Sequence, residues 1–191
     1  MKKLNFGVEE KQFLTLLEKA ISKTAPKKEF GLLFSGGIDS TLLAIIFKRL
    51  GLKFRCFFGF VKGPSLPKDL EPAKAVAKAL GLKLEIVSVS QSALPKLLAE
   101  TISLINSTSP VQVGVAIPLT IACRKAKKAG IKTVFSGMGA DELFAGYAKF
   151  RNEKNISSLS KKLLAALPSA DFARDKAIAK ASNLSVETPF L

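Results

Sequence analysis

A chain of 191 residues, 48% hydrophobic and 24% charged, has the make-up of one globular domain able to bury roughly 70% of its unfolded surface, which excludes general disorder. Histidine is absent, so Ser-His-Asp hydrolysis, Cys-His proteolysis and His-ligated zinc are excluded. The net charge is +15, but only five of the 30 basic residues are Arg and there is one Tyr; a solvated lysine surface fits better than the Arg forks and exposed aromatics of a specific nucleic-acid site.

In chain order, the periodicity predicts a helix from about Val8 to Lys23, a strand over Phe30 to Phe34 and a helix from Thr41 to Leu50. A second strand covers Phe54 to Val61, with a helix from Leu70 to Leu80, and a third covers Leu82 to Val89. Two helices follow, Leu94–Ile105 and Val113–Ala129, then a fourth strand over Lys132 to Phe135 and a helix from Asp141 to about Phe150. Ser157–Ala166 and Asp171–Ala181 read as terminal helices. Gly51, Gly81 and Gly130 each sit between a helical tail and a β-prone run, the place of a left-handed helix cap. Alternating β and α with continuous apolar strands means an α/β fold, a doubly wound parallel sheet with helices on both faces. Residues 1–26 read as an N-terminal helix and 27–191 as the domain proper.

Met1-Lys2-Lys3 is a basic start, but Asn5, Glu9, Glu10 and Lys11 interrupt any signal-peptide core. Thr101 to Cys123 is uncharged and long enough for a membrane span, yet Asn106 to Pro110 and Gln112 make its middle polar, so it reads as two buried helices around a turn. Cys56 and Cys123 are far apart among apolar neighbours and read as buried, reduced thiols. No membrane association and a cytoplasmic location are expected. The apolar tail Pro189-Phe190-Leu191 is expected to pack onto further residues or a partner.

Chemistry concentrates in two turns. Ser35-Gly36-Gly37-Ile38-Asp39-Ser40 lies between a buried strand and a helix; its glycines allow a sharp turn, and successive N–H groups with the helix N-terminus make an anion cradle. Ser35, Ser40 and Thr41 add hydroxyl donors, and there is no Walker-type lysine. Asp39 brings a negative charge to that cradle, a conflict that a bridging Mg²⁺ resolves. The second turn, Ser136-Gly137-Met138-Gly139-Ala140-Asp141-Glu142-Leu143-Phe144-Ala145-Gly146-Tyr147, also follows a strand and opens a helix. With strand order 3-2-1-4 the two turns flank one crevice at the switch point, and Asp39 faces Asp141.

At these residues the chain resembles the synthetase domain of glutamine-dependent asparagine synthetases, within the PP-loop ATP pyrophosphatases. The first turn fits the wider superfamily, and SGMGADELFAGY is similar to the asparagine synthetase branch, as are Asp171-Phe172-Ala173-Arg174-Asp175-Lys176 and Pro189-Phe190-Leu191. The resemblance implies an ATP-dependent amide ligase. A carboxylate, aspartate in the family, attacks the α-phosphate of ATP, giving an acyl-adenylate and pyrophosphate, and ammonia then displaces AMP. By position, Ser35, Gly36, Gly37, Asp39 and Ser40 would hold the pyrophosphate, Asp39 and Asp141 would bind Mg²⁺, and Phe34, Phe58 and Gly137 would border the adenine. The implied partners are ATP, a small carboxylate and a separate glutaminase subunit or free ammonia, with homo-oligomerisation left open.

Departures from the family pattern are plain. Met138 stands where the family carries a Glu tied to amidation, and a thioether takes no proton. Ser185 and Glu187 fall where the family carries Glu and Arg. Family members continue past the position of Leu191, which leaves a C-terminal truncation of the domain open, and from the start Met1-Lys2 no family-type glutaminase domain with its leading Cys is expected. Two alternatives stay open: an ATP-binding module without amidation, suggested by Met138, and an RNA-modifying ATP pyrophosphatase, suggested by the +15 charge.

Overall fold

Short runs, mostly apolar with aromatic or β-branched residues in β2, β3 and β4, form five strands, β1 (Phe30–Leu33), β2 (Phe54–Val61), β3 (Leu84–Val89), β4 (Thr133–Phe135) and β5 (Ser185–Glu187), in a computed structural model that describes residues 8–169 and 171–191. All pair in parallel, in the order β3-β2-β1-β4-β5. The register sets Phe30 beside Phe54 and Leu32 between Cys56 and Phe135. Met1, Lys2, Lys3 and Asn5 of the signal-peptide reading lie outside the described residues.

Eight helices complete the described chain: α1 (Val8–Thr24), α2 (Ile38–Arg49), α3 (Leu70–Leu80), α4 (Leu94–Ile105), α5 (Pro110–Lys128), α6 (Ala140–Leu143), α7 (Ile156–Ala166) and α8 (Asp171–Ala181). They divide between the two sheet faces, as the doubly wound reading requires. On one face Leu17 and Ile21 of α1, Leu43 and Phe47 of α2, and Ala73 of α3 share a core with Phe30 and Phe135. Phe47 meets Phe30 edge-on at 5.0 Å and Phe135 at 5.0 Å. Each such ring stabilises by about 1.5–3 kcal/mol through burial, and an edge-to-face pair adds about 0.5–1.5. On the other face Phe57 and Val134 pack under Ala122, Cys123 and Ala126 of α5 and Ile178 of α8.

The differences from expectation are local. α2 begins at Ile38, straight after the extended N-cap Gly37, which brings Asp39 and Ser40 into its first turn. β1 stops at Leu33, so Phe34 belongs to the turn. The helix expected from Asp141 to Phe150 is broken into α6 and a 3₁₀ turn over Ala148–Asn152, because Ala145 adopts a left-handed φ of 56°. β5 was not anticipated; three residues carry too little periodicity to register in a sequence. No single helix among the described residues is long and apolar enough to cross a membrane, and the Gln91–Ile105 and Pro110–Lys128 segments meet at 109°, turned at Asn106. The tail packs onto the chain itself: Phe190 is buried, its ring edge-on to Phe144 at 6.2 Å, while Leu191 stays half-exposed.

Two outcomes follow from this packing. A Cβ at φ 56° costs about 1 kcal/mol, partly offset by glycine's larger unfolded-state entropy. Ala145→Gly is therefore expected to raise unfolding free energy by roughly 0.5 kcal/mol, read as a higher urea midpoint at unchanged slope. Burial pushes both thiols up to about 12, Cys123 with help from the nearby Asp175 carboxylate. Both should resist a disulfide reagent at pH 8 in the native protein and react at once in denaturant.

Candidate functional site

Because β1 and β4 are parallel neighbours, with Gly31 opposite Val134 and Leu32 opposite Phe135, their C-terminal turns leave the sheet side by side. A cavity of about 900 Å³ opens there. The first turn contributes Phe34, Ser35, Asp39 and Ser40 to its wall, the second Gly137, Met138, Asp141 and Glu142, and β2 contributes Phe58. The two turns touch: a side chain at Gly137 would sit 2.9 Å from the Asp39 Cβ.

The first turn is held by its own hydroxyls. Gly37 N–H donates to Ser35 Oγ at 3.2 Å, Ser40 Oγ donates to the Gly37 carbonyl at 3.2 Å, and the Ser35 and Ser40 hydroxyls lie 3.3 Å apart. These are long bonds, so both hydroxyls are poised to exchange for a better acceptor. Gly36 has φ 76°, and a Cβ there would lie 2.5 Å from Ala73 Cα in α3, so only glycine fits. Gly36 and Gly37 form the bend of this turn, beside the wall residues Ser35, Asp39 and Ser40. Thr41, the third hydroxyl, is not among the residues that line the cavity. It sits in the first turns of α2, and its Oγ1 is buried without a hydrogen-bond partner among the described residues.

In the second turn Gly139, at φ 94°, caps the single turn of α6 that carries Asp141. Burial pushes the Asp39 carboxyl above its ordinary value, and the charges of Asp141 and Glu142 raise it further. Burial and then Glu142 raise Asp141 likewise. Among the described residues neither has an ion-pair partner. Two half-buried carboxylates pressed together without a cation make a donor set for a hard divalent ion. No group of three or more His, Cys, Asp and Glu forms a complete cage among the described residues. The set thus fits Mg²⁺, which is commonly held by one or two carboxylates and completed by substrate oxygens.

Two parts of the site were not assigned from sequence. Arg174, buried on α8, donates from Nε to Asp175 Oδ1 at 2.8 Å and from Nη1 to Asp171 Oδ1 at 2.7 Å and Gln112 Oε1 at 2.9 Å. Asp171, Arg174 and Asp175 line the same cavity. Burial pushes Asp175 up to about 6 against the pull of Arg174. The i, i+3 spacing of Asp171 and Arg174 was the available signal; Gln112, on α5, carried none. The second part is Glu142, 4% exposed, which accepts a 2.6 Å hydrogen bond from the Tyr147 phenol.

Comparison with known proteins gives the following. The family model described as asparagine synthase matches residues 12–188. A putative glutamine-hydrolysing asparagine synthetase 1 of Methanocaldococcus jannaschii is 30% identical over 186 residues, which is 92% of this chain and 34% of that protein. Asparagine synthetase B of Escherichia coli K12 is 30% identical over 177 residues, 85% of this chain and 32% of that protein. The chain spans about a third of the length of these relatives. Among solved structures, an NH₃-dependent NAD synthetase from Campylobacter jejuni is similar with a TM-score of 0.46 at 19% identity, over 90% of this chain and 89% of that one.

The raised carboxyls have a signed consequence. A folded-state pKa above the unfolded one adds stability at pH below the unfolded value, lost as pH rises through the folded value. Asp39→Asn removes the charge that is costly at neutral pH. It is expected to stabilise the ligand-free protein by roughly 0.5 kcal/mol at pH 7, the half-exposed setting having been discounted, with the gain disappearing near pH 3. In a carboxyl-carbon NMR titration, Asp141→Asn should lower the midpoint of Asp39.

Proposed function

The chain belongs to the asparagine synthase family, a family of ATP-dependent ligases, and on that premise we propose that the cavity at the ends of β1 and β4 takes Mg-ATP and a small carboxylate, aspartate first among candidates, to make an amide. The observation that carries this reading is the meeting of two glycine-bearing, acidic turns at one cavity, each supplying a carboxylate.

The backbone N–H groups of Gly36 and Gly37 and the hydroxyls of Ser35 and Ser40 bind the β- and γ-phosphates, in line with the anion preference of the turn preceding α2. Phe34 and Phe58, both buried at the cavity wall, offer apolar surface to the adenine, and Gly137 leaves it room. Asp39 and Asp141 would hold Mg²⁺. When bound, the ion neutralises charge growing on the departing pyrophosphate. A carboxylate oxygen forms a bond to the α-phosphorus as the bridging P–O bond to the β-phosphate breaks. Ammonia then bonds to the acyl carbon as the C–O bond to AMP breaks, and its surplus proton must leave. Met138 at the wall cannot accept it. Asp175, on the same cavity and raised to about 6, lies in a range suited to that task. We further take 27–191 as the working domain with the N-terminal helix packed on it. A separate glutaminase subunit or free ammonia supplies nitrogen, and a cytoplasmic setting fits a chemistry fed by ATP.

One observation favours a second reading. Met138 removes the family's Glu from the wall, which suits a module that binds ATP without amidation. The two readings separate in one experiment: Mg-ATP, ammonium and a panel of carboxylic acids including aspartate, with pyrophosphate and AMP followed. Turnover supports the ligase, and calorimetric binding of Mg-ATP with no pyrophosphate supports the module. Asp39→Ala is expected to weaken Mg-ATP binding at least about 10-fold, a loss of roughly 1.4 kcal/mol, under either reading; unchanged affinity would remove Asp39 from the metal site.

A further inference from the structure

Asp141 is carried by α6, a helix of only four residues. One turn of helix has no stability of its own, since fixing it costs several dihedrals for one or two hydrogen bonds. The direction of the Asp141 carboxylate must therefore come from outside the helix. Three ties supply it. The Tyr147 phenol donates to Glu142 Oε1 at 2.6 Å, the short length of a charge-assisted bond. Ser160 Oγ, reaching from α7, donates to the Glu142 carbonyl at 2.6 Å. Gly146 N–H donates to the Asp141 carbonyl at 2.9 Å, and a Cβ at Gly146 would overlap Asp141 Oδ1.

We propose that Tyr147 is a positioning residue for the metal-facing carboxylate: by clamping Glu142 it folds residues 144–147 back over α6, aims Asp141 at Asp39 and keeps Glu142 from competing for the same ion. This rests on the Mg-ATP reading of the cavity. The phenol is itself well held, its ring stacked on Phe150 at 6.4 Å with the Lys149 ammonium 4.7 Å above it. Glu142 is almost completely buried, so loss of the phenol leaves a carboxylate with one donor fewer beside two others. The break in the expected Asp141–Phe150 helix serves this contact. Ala145 turns the chain back so that Tyr147 returns to Glu142, where a continuous helix would carry it past.

The test uses Mn²⁺ in place of Mg²⁺, with free Mn²⁺ counted by electron paramagnetic resonance as ATP and protein are added. Metal-free ATP binding in EDTA is the internal control. Tyr147→Phe should weaken Mn-ATP binding about 10-fold while leaving metal-free ATP affinity near its original value, with the urea midpoint lowered by the hydrogen bond that the buried Glu142 loses. Ser160→Ala, which cuts the second tie from outside the cavity, should weaken it several-fold in the same selective way and serves if Tyr147→Phe folds poorly. Equal loss with and without metal would mean a merely structural role and overturn the proposal, as would two variants that bind Mn-ATP like the original protein. Should the original protein bind ATP no better with Mn²⁺ than without it, the Mg-ATP reading itself fails and the positioning role falls with it.

Discussion

The parallel pairing of β1 with β4 is the constraint on which the rest depends. The contact is short, two residue pairs through Gly31, Leu32, Val134 and Phe135, yet it sets two turns about 100 residues apart in the chain at one edge of one cavity. Right-handed crossovers leave little choice in the matter. The chain moves outward through β2 and β3, then returns across β1 to lay down β4 and β5, and the gap between outward and return paths is where an α/β sheet can admit a ligand. Phe30, Phe47 and Phe135, packed ring to ring beneath that gap, fix the spacing of the strands that bear both turns.

Much of this was legible from residues, for physical reasons that differ from place to place. The central strands β1, β2 and β4 announce themselves because burial on both faces forces continuous apolar runs. The bounds of β2, α3 and α4 agree with the periodicity residue for residue. The turn at Ser35 to Ser40 is legible because close backbone approach demands glycine, and Gly36 against Ala73 shows why. What sequence could not provide was any feature made by a single residue acting against its local preference. Ala145 in a left-handed conformation breaks a helix that propensity would continue. Likewise Arg174 is bonded to a residue 62 positions away, Gln112, which no spacing rule connects to it. β5 is set by pairing with β4 rather than by its own three residues.

Charge is distributed with the same logic. The exterior is rich in lysine, but among the residues that line the cavity six are acidic, and Arg174, already engaged by Asp171 and Asp175, is the basic one. Lysines spread over the surface attract anions from a distance but are screened beyond about 10 Å at ordinary ionic strength. At the wall itself a bare polyanion meets carboxylates. A triphosphate accompanied by a divalent ion meets a complementary surface. Burial raises the Asp39 and Asp141 carboxyls, so their charged forms are disfavoured while no cation faces them, and under the proposed Mg-ATP reading this would favour the metal complex over the free nucleotide.

The region from Gly139 to Tyr147 gathers several unfavourable features in nine residues: a left-handed alanine, a one-turn helix, a buried Glu142 and the charge of Glu142 pressing on Asp141. Each costs on the order of 1 kcal/mol. Left to itself such a segment would open locally long before the rest of the molecule. It is held by groups that belong to other elements: Ser160 on α7, the edge-on rings of Phe13 and Phe190 against Phe144, and β5, whose Glu187 carbonyl accepts from Ser136 N–H at 3.0 Å. Anchoring from α1, α7 and the C-terminal strand therefore does more than finish the fold. It supplies the rigidity that one turn of helix lacks, and it ties the geometry of Asp141 to the packing of both ends of the described chain.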